Sequence, residues 1–305
     1  MSKLFEALKK SEKGDTDFLL PLLKAQNPSV ANPASKPNSD AGHPHVMEAG
    51  SRTAGGVVEN GLAPAQIRTL TLNPARCSPV LPFDGGQSQV GDQYRILRTK
   101  ITQHPKQPRF ILISSPASGD GKSISAVNIA GVLSLNSDAK VLLVDADFRR
   151  STIHTYLGLP AAPGLAEVLV GVCGVQQAVI NSEELPNLYV LPSGNSPSSP
   201  AELLAGAQWP ALCSRLRTLF RHVIVDSPPV EAVADYALIQ EACDGVILVI
   251  RSDHTKRRTY REALRAVPKA KFLGVLLNSV PAWSLKRYGP ADYYSGAAIL
   301  SRPVL

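Results

Sequence analysis

Arg109-Phe-Ile-Leu-Ile-Ser-Ser-Pro-Ala-Ser-Gly-Asp-Gly-Lys-Ser-Ile124 joins an apolar run, Phe110 to Ile113, to a loop of small residues and then to Gly121, Lys122 and Ser123. The run has the length of a buried strand, and a helix is expected from near Gly121. Strand, small-residue loop, Gly-Lys-Ser and helix together predict a phosphate-binding loop. Its backbone N–H groups and the helix N-terminus would surround a β-phosphate. Lys122 would reach the β/γ oxygens, and the Ser123 hydroxyl would ligate Mg²⁺. Ser118, Gly119, Asp120, Gly121, Lys122, Ser123 and Ile124 are the expected cradle. Glycine is needed at 119 and 121 because the backbone must come close to phosphate, where a Cβ would collide. One position departs from the common form: five residues before Gly121, where glycine is usual, stands Pro116.

Downstream, Lys140-Val-Leu-Leu-Val-Asp-Ala-Asp147 is a second buried-strand run, ending in Asp145 and Asp147 and followed by Arg149 and Arg150. Arg221-His-Val-Ile-Val-Asp226 repeats the pattern, and Leu188–Leu191, Gly245–Arg251 and Phe272–Asn278 are further apolar runs. Helices are expected through about Leu135, over Gly164–Gly171, from Pro200, over about Ala232–Cys243 and over Lys256–Val267. This alternation predicts an α/β fold, a mostly parallel sheet with helices on both faces. Ligands of such sheets bind beyond the carboxyl ends of the strands. The loop, Asp145, Asp147, Asp226 and Asn278 all fall there, which points to one site. Asp226 stands where a nucleotide site places an acid of the Mg²⁺ shell; the alternative is an acid capping the next helix. Asp145 and Asp147 repel each other unless a cation lies between them, and Mg²⁺ supplies one. The alternative there is pairing with Arg149 and Arg150. Ser123, Asp145 and Asp226 are the expected metal ligands.

The 305 residues suffice for one large α/β domain with appendages, and 44% hydrophobic with 19% charged residues is ordinary for a globular chain. A net charge of +7 permits an anionic partner without choosing one. No apolar stretch approaches the ~20 residues of a spanning helix, and the N-terminus lacks the apolar core of a secretion signal. Cys77, Cys173, Cys213 and Cys243 have neither metal-ligand spacing nor a paired framework, which fits reduced thiols in a cytosolic protein.

Residues 1–90 differ from the rest. Residues 3–12 place Leu4, Phe5 and Leu8 on one side of a helix too short to stand alone in water; it is either a docking peptide or a frayed leader. From Ala25 to about Gly86 the chain is rich in Pro, Ser, Ala, Asn and Gly, the composition of a disordered tether. Order is expected from Gly91, where apolar residues at 94, 97 and 101 have helical spacing. Arg95 and Arg98 share another face of that helix, close to Asp92. A basic run, Lys256, Arg257, Arg258, Arg261, Arg265, Lys269 and Lys271, is either a face for the phosphates of DNA or a solvated one.

Several of these blocks resemble the bacterial tyrosine kinases (BY-kinases), P-loop autokinases of capsule and exopolysaccharide export. Val141-Leu-Leu-Val-Asp-Ala-Asp-Phe-Arg149 is similar to their second Walker motif and Val223-Ile-Val-Asp-Ser-Pro-Pro-Val230 to their Walker B. Asp92-x-x-Arg95-x-x-Arg98 resembles their Glu-x-x-Arg-x-x-Arg helix, with Asp for Glu. Pro200-Ala-Glu-Leu-Leu204, Asp244-Gly-Val-Ile-Leu-Val-Ile-Arg251 and Leu273-Gly-Val-Leu-Leu-Asn278 are similar to other blocks. Together they cover about 91–280, and Leu4-Phe-Glu-Ala-Leu-Lys-Lys10 looks like the start of cytosolic members.

The resemblance implies a P-loop NTPase fold, MinD/ParA-like, over 91–280, with an arm over 1–90 and a tail over 281–305. It implies ATP and Mg²⁺ as cofactors, with Lys122 on ATP, Ser123 and Asp226 organising the metal, and Asp147 supporting that shell. Asp145 would take the proton of an incoming tyrosine. An Asp of pKa ~3.9 is about six units too weak to ionise a phenol of pKa ~10 outright. It would orient the hydroxyl and accept the proton late, which suits a loose phosphoryl-transfer transition state. Tyr288, Tyr293 and Tyr294 occupy the place of the family's phosphoacceptor cluster. Asp92, Arg95 and Arg98 would form a subunit contact in a homo-oligomer that phosphorylates its own and other protein tyrosines. A membrane-embedded chain-length or export protein is the implied partner, at the inner membrane of a cytoplasmic kinase, with no nucleic acid. Two other readings remain: a MinD/ParA-like ATPase positioning cargo, and a non-catalytic ATP-binding regulator. Against the first, Ser118 stands where that group places an extra lysine.

Overall fold

The computed structural model describes residues 67–74, 89–136, 139–230 and 234–280. The 3–12 segment, Cys77, Tyr288, Tyr293 and Tyr294 lie outside them. The eight strands are β1 (Arg68–Leu70), β2 (Phe110–Ser114), β3 (Val141–Asp145), β4 (Ile180–Ser182), β5 (Leu188–Leu191), β6 (His222–Asp226), β7 (Gly245–Arg251) and β8 (Phe272–Asn278). They form one sheet of order β1-β4-β5-β3-β6-β2-β7-β8. Every neighbouring pair is parallel except β4 with β5. The sheet is therefore mostly parallel, as the alternation implied.

Strands buried on both faces need apolar residues at every position, not at alternate ones. In β2, β3 and β6 every residue is buried, including the terminal Ser114, Asp145 and Asp226. Successive side chains then enter two separate cores. On one face Ile111, Ile113, Leu143 and Ile224 meet α1 (Gln89–Thr102), α2 (Lys122–Ser134) and α3 (Ile153–Leu157). On the other, Phe110, Leu112, Val144 and Val225 meet α4 (Leu165–Leu169), α5 (Val175–Ala178), α6 (Pro200–Ala205), α7 (Gln208–Leu219), α8 (Ala234–Glu241) and α9 (Arg257–Ala266). The helix spacing at 94, 97 and 101 is explained by burial of Tyr94, Leu97 and Ile101 against α2 and the sheet.

Two parts differ from the sequence expectation. Order does not wait for Gly91: α1 starts at Gln89, and residues 67–74, inside the stretch read as tether, include β1. β1 pairs with β4, a strand absent from the expected set, and Leu72 N donates to Glu184 at 3.0 Å while Asn73 N donates to Leu157 O at 2.9 Å. Three-residue strands carry no apolar run long enough to notice. Cys213 and Cys243 are buried free thiols, and burial pushes Cys213 up to about 12, so it is an inert core group. Among the described residues no helix is long and apolar enough to cross a membrane.

Candidate active site

The phosphate loop links β2 to α2, whose first residue is Lys122. Gly119 and Gly121 take φ of +90° and +94°, left-handed values that side chains resist. At Gly121 the obstacle within the chain is Asn278, whose Nδ2 would lie 2.0 Å from a Cβ. The same Nδ2 donates to the Asp120 carbonyl at 3.0 Å, so the end of β8 fixes the loop. Asp120 is fully buried; its carboxylate accepts from Thr255 Oγ1 at 2.8 Å and Ala117 N at 3.2 Å, and meets His254 Nδ1 at 3.0 Å. Arg150 Nη1 donates to Ser118 Oγ at 2.7 Å, and Arg251 Nη1 to the Gly119 carbonyl at 3.4 Å. Ile124 is half-buried in the first turn of α2.

β3 and β6 are neighbours in register, with Asp145 opposite Asp226. Lys122, from the loop beside them, brings its Nζ to 2.7 Å from Asp147 Oδ2, 3.6 Å from Asp226 Oδ1 and 3.1 Å from Ser123 Oγ. Lys122, Ser123, Asp145, Asp147 and Asp226 therefore lie together. The Lys122 ammonium lies between Asp147 and Asp226. Burial alone would lower the Lys122 pKa, but the charges of Asp226 and Asp147 outweigh it and the value is raised. Burial lifts Asp226 to about 7 against the pull of Lys122. It lifts Asp145 to about 6 against hydrogen bonds from Ser151 and Ile153.

Both alternatives raised for the acids fail on this geometry. Arg149 pairs with Asp235 at 2.8 Å and Arg150 holds the loop, so neither guanidinium pairs with the Asp145 or Asp147 carboxylate. Among the described residues Asp226 caps no helix: both its buried oxygens are without a hydrogen bond there, although the Ser123 hydroxyl is near enough to lower its pKa. Asp145 is committed differently. Its Oδ2 accepts from Ser151 Oγ at 3.0 Å and Ile153 N at 3.2 Å, and its Oδ1 from Asp147 N at 3.2 Å. That carboxylate holds the turn from β3 into α3.

Among the described residues no three His, Cys, Asp or Glu side chains form a ready-made metal cage. Mg²⁺ at nucleotide sites does not require one, since it takes one or two carboxylates, waters and substrate phosphates. The two Asp226 oxygens, without a hydrogen bond among the described residues and with only the Lys122 ammonium at 3.6 Å from Oδ1, lie beside the Ser123 hydroxyl and opposite Asp145 and fit that demand. The helix N-terminus and Lys122 fit a triphosphate. The sequence missed Asp235, His254 and Thr255. The last two follow β7 directly, so the carboxyl-end rule applied to that strand was the available signal.

Farther off, on α1, Arg95 pairs with Asp92 at 2.7 Å and stays partly exposed. Arg98 turns inward, with Nη1 donating to the Val132 carbonyl of α2 at 3.4 Å.

A parallel sheet, a Gly-Lys-Ser loop at a helix N-terminus and strand-end acids around its lysine define a P-loop nucleotide-binding fold. Residues 108–268 match the AAA domain family AAA_31. The chain is 37% identical over 214 residues to the tyrosine-protein kinase YwqD of Bacillus subtilis (strain 168), covering 69% of this chain and 90% of that one. It is 32% identical over 206 residues to the tyrosine-protein kinase CpsD of Streptococcus agalactiae, covering 67% and 89%. Among solved structures, the chimerical protein CapA2B2 is similar with a TM-score of 0.63 at 30% identity over 70% of this chain and 94% of that one. The BceF tyrosine kinase domain is similar with a TM-score of 0.56 at 31% identity over 63% and 78%. The chain belongs to the bacterial tyrosine-protein kinases.

Proposed function

We propose that the chain is an ATP-dependent tyrosine autokinase of exopolysaccharide or capsule export. The observation that carries this is the meeting of Lys122, Asp147, Asp226 and Asp145 beside the phosphate loop. In the reaction a tyrosine oxygen bonds to the γ-phosphorus of ATP, the bond to the β,γ-bridging oxygen breaks, and ADP leaves. Lys122 exchanges its carboxylate partners for β/γ oxygens and neutralises the charge that develops there. Ser123 and Asp226, with Asp145 adjacent, would hold Mg²⁺, which neutralises the triphosphate when bound.

Asp145 is the proposed acceptor of the tyrosine proton, late in the transfer. A pKa of about 6 leaves it about four units short of the phenol. Acting as acceptor requires it to give up the bond from Ser151 or Ile153. Asp147 steers Lys122, and Asn278 fixes the loop. The proposed phosphoacceptors are Tyr288, Tyr293 and Tyr294 of a neighbouring subunit, with 91–280 as the catalytic unit, extended by β1. The proposed setting is the cytoplasmic side of the inner membrane, beside a membrane-embedded export protein.

Purified protein with Mg-ATP should gain phosphotyrosine. The signal should vanish in Lys122→Met and in the combined Tyr288→Phe, Tyr293→Phe, Tyr294→Phe variant. ATP hydrolysis stimulated by DNA without phosphotyrosine would overturn the proposal in favour of a cargo-positioning ATPase. ATP binding with neither activity would overturn it in favour of a regulator.

A further inference from the structure

The basic run that the site does not use is carried largely by α9. This helix turns Tyr260 and Ala263 into the core and leaves Arg257, Arg258, Arg261 and Arg265 exposed, with Lys256 before it and Lys269 after it. Arg258 is paired with Glu262 at 2.8 Å. Lys271 belongs elsewhere, donating to the carbonyls of Gln240 at 3.0 Å and Glu241 at 2.7 Å. Among the described residues no acid forms an ion pair with Arg257, Arg261 or Arg265. Spacing by four sets these three along one side of the helix over about 12 Å at ~1.5 Å per residue, each step turned by about 40°.

The row works against its own helix. Like charges four apart repel. Lys256, Arg257 and Arg258 also crowd the helix end where the backbone already carries positive partial charge. One glutamate is the only offset on the helix. Local rules broken without an internal gain point to compensation from outside the chain, here from an anionic surface.

The chemistry of the row narrows the surface. It offers no Asn, Gln or exposed aromatic side chain to read or stack on a base. No large exposed apolar residue lies on α9 to insert into a bilayer. A row of guanidinium groups along one side of a helix packed on the sheet suits an array of headgroup phosphates. α9 covers the sheet face opposite α1, so a surface docked on it leaves Asp92, Arg95 and Arg98 open to a second subunit. His254 and Thr255, just ahead of α9, bond Asp120 of the phosphate loop, so the docked edge lies close to the site.

We propose that α9 binds anionic phospholipid directly through Arg257, Arg261 and Arg265. The contact is peripheral and salt-sensitive, and it does not depend on phosphotransfer. The full chain should co-sediment with vesicles of mixed phosphatidylglycerol and phosphatidylcholine, and not with phosphatidylcholine alone. Raising salt from about 50 mM to about 300 mM should release it. The triple variant Arg257→Gln, Arg261→Gln, Arg265→Gln should lose on the order of a hundredfold in partitioning, about fivefold per cation, with autophosphorylation in solution unchanged. Equal sedimentation of the triple variant and the parent, or no sedimentation of the parent, overturns the proposal. Random-sequence duplex DNA stripping the parent from vesicles, through the same arginines, overturns it in favour of nucleic acid. Vesicle binding by a protein that makes no phosphotyrosine would sink the kinase proposal and leave this one standing.

Discussion

Lys122 lets three strand-end acids share one buried space, and the balance is sensitive to pH. A carboxylate whose pKa is raised on folding contributes stability while protonated and loses it as pH rises through the folded value. For Asp145 that value is about 6 and for Asp226 about 7, each raised from 3.8. Without Mg-nucleotide, Tm should therefore fall between about pH 4 and about pH 8. Asp226→Asn should flatten that fall and raise Tm at about pH 8 by roughly 2–4 °C per kcal/mol of relief, while cutting autophosphorylation at least about a hundredfold. Calorimetry at both pH values checks this; identical slopes in parent and variant would refute it. At this scale the acids and the lysine were legible, because strand-end carboxylates facing a Gly-Lys-Ser loop are a chemical pattern. Their partners were not: Asp235 and His254 reach the site from 86 residues beyond Arg149 and 134 beyond Asp120, respectively.

Among the elements, β1 is the addition that composition concealed. Its backbone pairs with β4, and Leu70 and Leu72 pack against the cluster beneath α1–α3. Without it the β4 edge would present unpaired backbone groups. Leu70→Asp with Leu72→Asp should detach β1, lower stability by about 1–3 kcal/mol, and speed hydrogen exchange at Ile180–Ser182. Unchanged exchange there would show that β1 contributes nothing to that edge. β2, β3 and β6 were legible because a strand buried on both faces must be apolar throughout. β4 was not, since Ile180-Asn-Ser182 is too short for any periodicity and exists through its neighbours.

For the whole molecule, the proposed assembly rests on α1. Arg95 is free to exchange Asp92 for an acid on another subunit, an exposed pair worth under ~1 kcal/mol. Arg98 is partly spent on the Val132 carbonyl. Arg95→Ala with Arg98→Ala should weaken self-association and remove the concentration dependence of autophosphorylation, with Tm lowered by no more than a few degrees. Sedimentation together with initial rates over a dilution series tests this. Undiminished association and trans-phosphorylation would mean that α1 is not the contact.

The sequence by itself determined the parallel sheet, the phosphate loop and the arrival of Asp145, Asp226 and Asn278 at one edge. Burial on two faces and a turn that admits only glycine leave a local imprint on the residues involved. Only the tertiary structure decided that Lys122 lies between Asp147 and Asp226, that Asp145 is bound into its own turn, and which segment completes the sheet edge. Those outcomes depend on distances between residues far apart in the chain, and no local pattern encodes a distance.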